Sequence, residues 1–130
     1  MASIEEKVQA VLAANEALTA AVPAASIRVP GNYQNVARPW IAHFPAGGVI
    51  PTYTYDGLRK LRIWDRYQVT LYADTYPSGR PITELIITAL TGVHTTFQAF
   101  WLPGGFRPLK DPDRDIYHFV LEFRIVEAAD

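Results

Sequence analysis

Two long stretches of alternating apolar and polar residues set the strongest limits on how this chain can fold. In residues 61–73 and again in residues 116–126, every second side chain is apolar over most of the run. A period of two is typical of a β-strand that buries one face. Asp65 interrupts the first run, which predicts either a bulge there or the end of the covered part. The predicted inward sets are Ile63, Tyr67, Val69, Leu71 and Ala73 in the first strand and Tyr117, Phe119, Leu121, Phe123 and Ile125 in the second.

Two helices are predicted from their end signals and their apolar spacing. Ser3 and Glu6 form a capping box, since the Ser3 hydroxyl can accept from the third helical amide while Glu6 reaches back. Apolar residues at positions 4, 8, 11, 12 and 18 extend this amphipathic helix to about residue 21, and Pro23 ends it. A second helix is predicted to start within residues 75–81 and to stop at Gly92, a typical C-cap residue.

Shorter strands are predicted at residues 26–29, 39–44 and 96–102, while residues 46–60 resemble a long connection. A chain of 130 residues with 49% hydrophobic content can bury a core of its own. We therefore predict a single domain over residues 1–130. Its predicted class is α+β: a two-layer fold with a mostly antiparallel sheet of four to five strands and two helices packed on one face.

Composition excludes several functional classes. The chain has no cysteine, which excludes disulfides, zinc-thiolate sites and thiol nucleophiles. Residues 5–7 are charged and lack the pattern of a secretory signal, and Pro103 breaks the uncharged run of residues 93–106. We therefore expect a soluble protein without a membrane partner.

The run from Asp111 to Glu122 imitates a calcium-binding loop, with acids at its first, third, fifth and twelfth positions. Ile116 stands where such a loop requires a sharp turn, so an acidic turn entering a strand is the better interpretation. His43, His94 and His118 show no metal-ligand spacing. We predict no metal, no cofactor and no catalytic residue, hence no enzyme, although Asp65 or Glu84 could approach another acid in space.

Two connections have the composition of protein interfaces. Residues 48–55 are long and apolar for a loop, and residues 100–107 group aromatic side chains with an arginine. Packing within the subunit is the alternative for Trp101. The predicted partner-interface residues are Val49, Ile50, Tyr53, Tyr55, Phe106, Arg107, Asp113 and Asp115. A basic group could contact phosphate or form an ordinary solvated face; its members are Arg59, Lys60, Arg62 and Arg66.

Taken together, several segments resemble a known family: the capped N-terminal helix with residues 16–22, the strand entry Arg38-Pro39-Trp40-Ile41, the run at residues 66–76 with the helix after it, and the closing strand at residues 119–125. They resemble the tail-completion, or tail-terminator, proteins of long-tailed bacteriophages with non-contractile tails. The same role occurs in phage-like gene transfer agents. The resemblance covers most of the chain and rests on strand and helix patterns.

The resemblance implies a structural virion protein without an active site. Such proteins form a six-fold ring that terminates the tail tube and joins the tail to the head. It implies further copies of the chain as partners in a homohexamer, together with the tail tube protein and a head-closure or connector protein. The basic group could then line the ring lumen, where it would contact passing DNA non-specifically. The expected location is the head–tail junction of a virion assembled in the host cytoplasm; a head-closure protein and a ferredoxin-like small-molecule binding domain are the alternatives.

Overall fold

The structure, a computed structural model, describes residues 3–29, 37–47, 49–53, 60–110 and 116–129. Within these ranges three α-helices occur: α1 (Ile4–Ala14), α2 (Glu16–Ala21) and α3 (Tyr76–Leu90). A short 3-10 helix spans Ala24–Ser26. The strands are β1 (Ile27–Arg28), β2 (Trp40–Pro45), β3 (Val49–Tyr53), β4 (Lys60–Ala73), β5 (Gly92–Val93), β6 (Phe97–Lys110) and β7 (Tyr117–Ala129).

The strands form one mixed sheet with β4 and β7 at its centre. Its order is β1-β2-β4-β7-β6-β5, and β3 pairs with β4 beyond the end of β2. The β1–β2 pair is parallel, and the other described pairs are antiparallel. The core face of β4 and β7 carries Val69, Leu71, Phe119 and Leu121, which join one hydrophobic cluster with the buried side chains of the helices.

The predicted fold class is wrong. In place of a two-layer fold with four to five strands and two helices, the described residues form a mixed sheet curled into a half-barrel, with three helices. The prediction assumed that one face of the sheet is covered. The second face, which carries Trp40, Thr70, Val120 and Glu122, is also largely buried at these positions. Long twisted strands with bulges curve a sheet and enclose its far side.

Several boundaries also differ from the prediction. The first helix breaks at Asn15, which ends α1 and caps α2 by accepting from the Leu18 amide at 2.9 Å. Strands β3 and β5 were not predicted, and β6 continues past Pro103 to Lys110. A strand can carry proline at an edge or a bulge, which is why the proline and glycine residues did not end β6.

Other expectations are confirmed. The capping box at Ser3 is present, and Thr75 caps α3 in the same way, with Pro77 in its first turn. Gly92 follows the end of α3 with a φ of 119°, a conformation that favours glycine. A bulge lies between Trp64 and Tyr67, where Asp65 had interrupted the alternation.

The bulge also changes which side chains face the core. Trp64 pairs with Ile125 and Tyr67 pairs with Phe123, so the buried face of β4 changes from even to odd positions across the bulge. The prediction that Ile63 shares the face of Tyr67 is therefore wrong. An extra residue in one strand reverses the side-chain alternation beyond it.

A buried polar chain connects α1 to the sheet through His43. The His43 Nε2 lies 2.7 Å from Gln9 Oε1, and its Nδ1 lies 2.7 Å from the Tyr67 hydroxyl. Gln9 Nε2 donates to the Ile27 carbonyl, which leaves its oxygen to accept from His43. The neutral imidazole thus donates through Nε2 and accepts from Tyr67. Burial lowers the pKa of His43 to about 4 and raises the pKa of the Tyr67 phenol.

The first prediction concerns acid stability. Below pH 6.5 the unfolded chain protonates His43, whereas the folded chain does so at about pH 4. The unfolding free energy therefore decreases as the pH falls from 6.5 to about 4, by roughly 3 kcal/mol in all, because the neutral histidine no longer stabilises the fold. We expect His43→Gln to reduce the pH dependence of the unfolding free energy between pH 6.5 and 4.

Urea unfolding followed by circular dichroism at several pH values measures this slope. His118→Gln, altered on the second face of the sheet, controls for the general effect of replacing a histidine. An unchanged slope in His43→Gln would show that this buried imidazole does not carry the effect.

Candidate assembly surface

Two bulges shape the second face of the sheet. In β4, Asp65 and Arg66 together lie opposite the single residue Arg124. The Arg66 carbonyl accepts from the amides of Ala46 and Gly47 at 2.9 and 3.1 Å, which fixes this bulge against the junction of β2 and β3. In β6, the register jumps between Leu102 and Arg107, so residues 103–106 form a larger bulge. Bulges change the direction of side chains, and here they turn two arginines towards one another.

Arg66 and Arg107 meet at Glu122, which lies on β7 between their strands. The Arg66 Nη2 lies 3.1 Å from Glu122 Oε1, and the Arg107 Nη2 lies 3.5 Å from the same oxygen. The Glu122 side chain is 8% exposed, while each arginine side chain is 55% exposed. A buried carboxylate thus holds two half-exposed guanidinium groups, and the Arg66 Nε also donates to Glu122 Oε2 at 3.5 Å.

These residues border an open cavity of about 460 Å³, which we call the arginine pocket. Its lining consists of Arg66, Leu102, Pro103, Gly104, Gly105, Arg107 and Glu122. Gly105 allows the β6 bulge to approach β7 closely, because a Cβ at this position would lie 2.5 Å from Glu122 Oε2. A Cβ added at Gly104 would meet nothing within 4 Å beyond its chain neighbours and would enter open space.

The arginine pocket is suited to binding an oxyanion. Two guanidinium groups against one carboxylate leave a net charge of one positive unit. Guanidinium groups present donors in a planar fork that matches carboxylate or phosphate oxygens. On the same strand, Phe100 and Leu109 are 43% and 49% exposed. Aromatic residues, aliphatic residues and arginine together are typical of the centre of a protein interface.

A second buried carboxylate, Glu127, lies on the core face beyond the β4 bulge. Its Oε2 lies 2.7 Å from Lys7 Nζ, and its Oε1 accepts from Trp64 Nε1 at 3.0 Å. Arg62 Nη1 is 3.6 Å from Oε1. This cluster connects α1 to the end of the sheet, so its contacts stabilise the subunit.

The structure separates the members of the predicted basic group. Arg62 lies with Glu127, and Arg66 lies with Glu122 on the second face. Lys60 begins β4 opposite Ala129. Arg59 lies outside the described residues.

The predicted interface residues are distributed over several elements. Val49, Ile50 and Tyr53 belong to β3, whose backbone pairs with β4. Tyr55, Asp113 and Asp115 lie outside the described residues. Phe106 lies in the β6 bulge with its ring 6.3 Å from that of Trp101 and 5.3 Å from the guanidinium carbon of Arg80. Arg107 is the member of this set that the structure brings together with Arg66.

Trp101 packs within the subunit, with its ring 5.3 Å from that of Phe123. The two acids considered for acid–base chemistry each bind an arginine. Asp65 pairs with Arg124 at 2.8 Å, and Glu84 pairs with Arg80 at 2.6 Å.

The described part of the chain contains neither a metal-binding cluster nor a membrane-spanning helix. There, no group of three or more His, Asp or Glu residues is placed to hold a metal ion. The first five residues of the calcium-like run lie outside it, and Glu122, its twelfth residue, is bound by arginines. None of the helices in the described ranges combines the length and apolar character needed to cross a membrane.

Sequence reasoning missed Glu122 as the centre of this site. The ion pair between Glu122 and Arg107 depends on the register of β6 and β7, which shifts at the β6 bulge. The sequence of neither strand alone indicates this shift. Gly104 and Gly105 stand next to each other within β6. Glycine within a strand marks a bulge or a close backbone approach, and that signal could have located the pocket.

Comparisons with known proteins identify a shared fold. No protein-family model and no curated protein matches this chain. Among solved structures, it is similar to a chain from the virion of a native gene transfer agent (GTA) particle. The TM-score is 0.70 at 15% sequence identity, and the alignment covers 94% of this chain and 92% of that chain. The likeness therefore extends over nearly the full length of both chains and establishes the fold.

The second prediction tests the close approach at Gly105. We expect Gly105→Ala to destabilise the fold by roughly 1–3 kcal/mol, because the added methyl group displaces the Glu122 side chain from its arginines. Gly104→Ala is the matched control, since its methyl group would enter open space. Urea unfolding midpoints compare the two variants, and equal midpoints would contradict the described packing of Gly105.

The third prediction concerns Glu127. Glu127→Ala leaves Lys7 and the Trp64 N–H without their partner, so we expect a loss of about 3–5 kcal/mol in unfolding free energy. The control is Glu84→Ala, because its pair with Arg80 is exposed and we expect its loss to have little effect on stability. Similar losses for both variants in urea unfolding would refute the assigned role of Glu127.

Proposed function

We propose that this protein is a structural virion component that forms a six-fold ring, terminates the tail tube and joins the tail to the head. The observation that carries the proposal is the likeness in fold to a chain of a gene transfer agent virion over nearly the full length of both chains. The segments that resemble tail-terminator proteins support the same role. We assign the protein to the head–tail junction, with residues 1–130 acting as one terminator-like domain.

The second face of the sheet supports an assembly role on physical grounds. A ring of identical subunits needs contacts in which one surface of each copy fits a different surface of its neighbour. The arginine pocket, with exposed Phe100 and Leu109 on the same strand, offers the composition of such a contact. The interface residues predicted on β3 would extend it, and no catalytic step is needed for this role.

The proposed neighbours follow from the position of the ring. One side of it would contact the tail tube protein, and the other side would contact a head-closure or connector protein. Passing DNA would meet the ring lumen non-specifically. Arg59 and Lys60 are the members of the basic group that we propose for this contact, since Arg62 pairs with Glu127 and Arg66 belongs to the arginine pocket.

The fourth prediction tests the ring directly. In native mass spectrometry at rising concentration we expect a species of six times the 14.5 kDa subunit mass, and electron micrographs should show rings. Tubes assembled from the tail tube protein of the same particle should bind the rings at one end and stop growing.

Two results would contradict this role. A chain that stays monomeric at high concentration and does not bind tail tubes would exclude the terminator. Rings that bind a portal-side connector but leave tube growth unchanged would assign the protein to head closure instead.

A further inference from the structure

We propose that the arginine pocket of one copy binds the acidic segment 111–115 of a second copy. The inference rests on the proposed ring for the presence of a second copy. The segment has the sequence Asp-Pro-Asp-Arg-Asp, with three aspartates and one arginine. Its net negative charge complements the positive charge of the pocket, and its carboxylates match the guanidinium fork.

The pocket is built before any partner arrives. Glu122 is buried and binds Arg66 and Arg107 from the side of the sheet, while each arginine side chain stays 55% exposed. Long side chains that are already held lose less conformational freedom when they bind. Because Gly105 has no side chain, the β6 bulge can lie close to Glu122 and keep it in place. The β6 bulge and the β4 bulge therefore both contribute to the binding geometry.

The acidic segment is separated along the chain from the arginine pocket of its own copy. Arg107, Leu109 and Lys110 pair in register with Val120, His118 and Tyr117, so the hairpin is extended beyond the pocket. The four residues from Arg107 to Lys110 span about 10 Å from the first Cα to the last. The acidic segment follows Lys110 in the sequence, and the proposed ring supplies a second copy as the source of the carboxylate.

A protein carboxylate fits the pocket better than a nucleic acid phosphate does. Nucleic acids bind surfaces where several basic side chains follow the backbone. Here the buried Glu122 cancels one of the two charges, and the nearby side chains on the strand include the apolar Phe100 and Leu109. Apolar neighbours of this kind can exclude water around an ion pair between two proteins.

The fifth prediction uses the full chain and a fluorescent peptide of residues 109–117. We expect Arg107→Glu to weaken peptide binding, measured by anisotropy, by about tenfold or more, because it places like charges together. Arg124→Glu is the matched control: Arg124 is half-exposed on β7 and pairs with Asp65 outside the pocket. A peptide with all three aspartates changed to asparagine should bind as weakly as the wild-type peptide binds Arg107→Glu.

Charge reversal provides a second readout in the assembled protein. Arg107→Glu and the pair Asp113→Lys with Asp115→Lys should each reduce ring formation in native mass spectrometry. Combining all three changes in one chain should restore it. Circular dichroism verifies folding, and Arg107→Gln replaces Arg107→Glu if the latter does not fold.

The outcomes separate this inference from the proposed function. If Arg107→Glu forms rings as readily as the wild-type protein does, the inference is overturned and the proposed ring is unaffected. A wild-type monomer that binds the peptide through Arg107 would overturn the ring and support the pocket. Equal effects of Arg107→Glu and Arg124→Glu, or displacement of the peptide by a DNA duplex, would refute a carboxylate of the acidic segment as the ligand.

Discussion

The pairing of β4 with β7, interrupted by one bulge, is the constraint on which the rest of the structure depends. Several elements contact these two strands directly: α3 packs on both, β2 and β3 pair along one edge of β4, and β6 pairs along β7. The extra residue at Asp65 and Arg66 reverses the alternation of β4. Side chains that a regular strand would place on one face are thereby divided between two faces.

This division explains how a nearly neutral chain places two carboxylates in buried positions. Glu122 and Glu127 lie on opposite faces of β7, one on each side of the bulge. Each is paired with basic residues that the same bulge directs to its face: Arg66 for Glu122 and Arg62 for Glu127. A buried carboxylate without partners would be strongly unfavourable, so the bulge and the two ion clusters depend on one another.

The sequence predicted those features that local patterns determine. The Ser3 cap, the bulge near Asp65 and the core face of β7 depend on neighbouring residues, and the structure confirms them. Strand β3 and the extension of β6 depend on pairing with residues distant in the chain, which no local period records. The curl of the sheet was missed for a related reason, because alternation indicates which side chains share a face and not how far the sheet bends.

The candidate site was predictable in part. Arg66 and Arg107 were both named, as a lumen residue and as an interface residue, but the sequence could not show that Glu122 brings them together. This contact has a physical consequence for assembly. Because Glu122 is buried within the subunit, it remains paired with the arginines whether or not a partner is present. The exposed sides of the guanidinium groups carry the unbalanced charge, so the pocket can favour an acidic partner without leaving an unpaired buried ion in the free subunit.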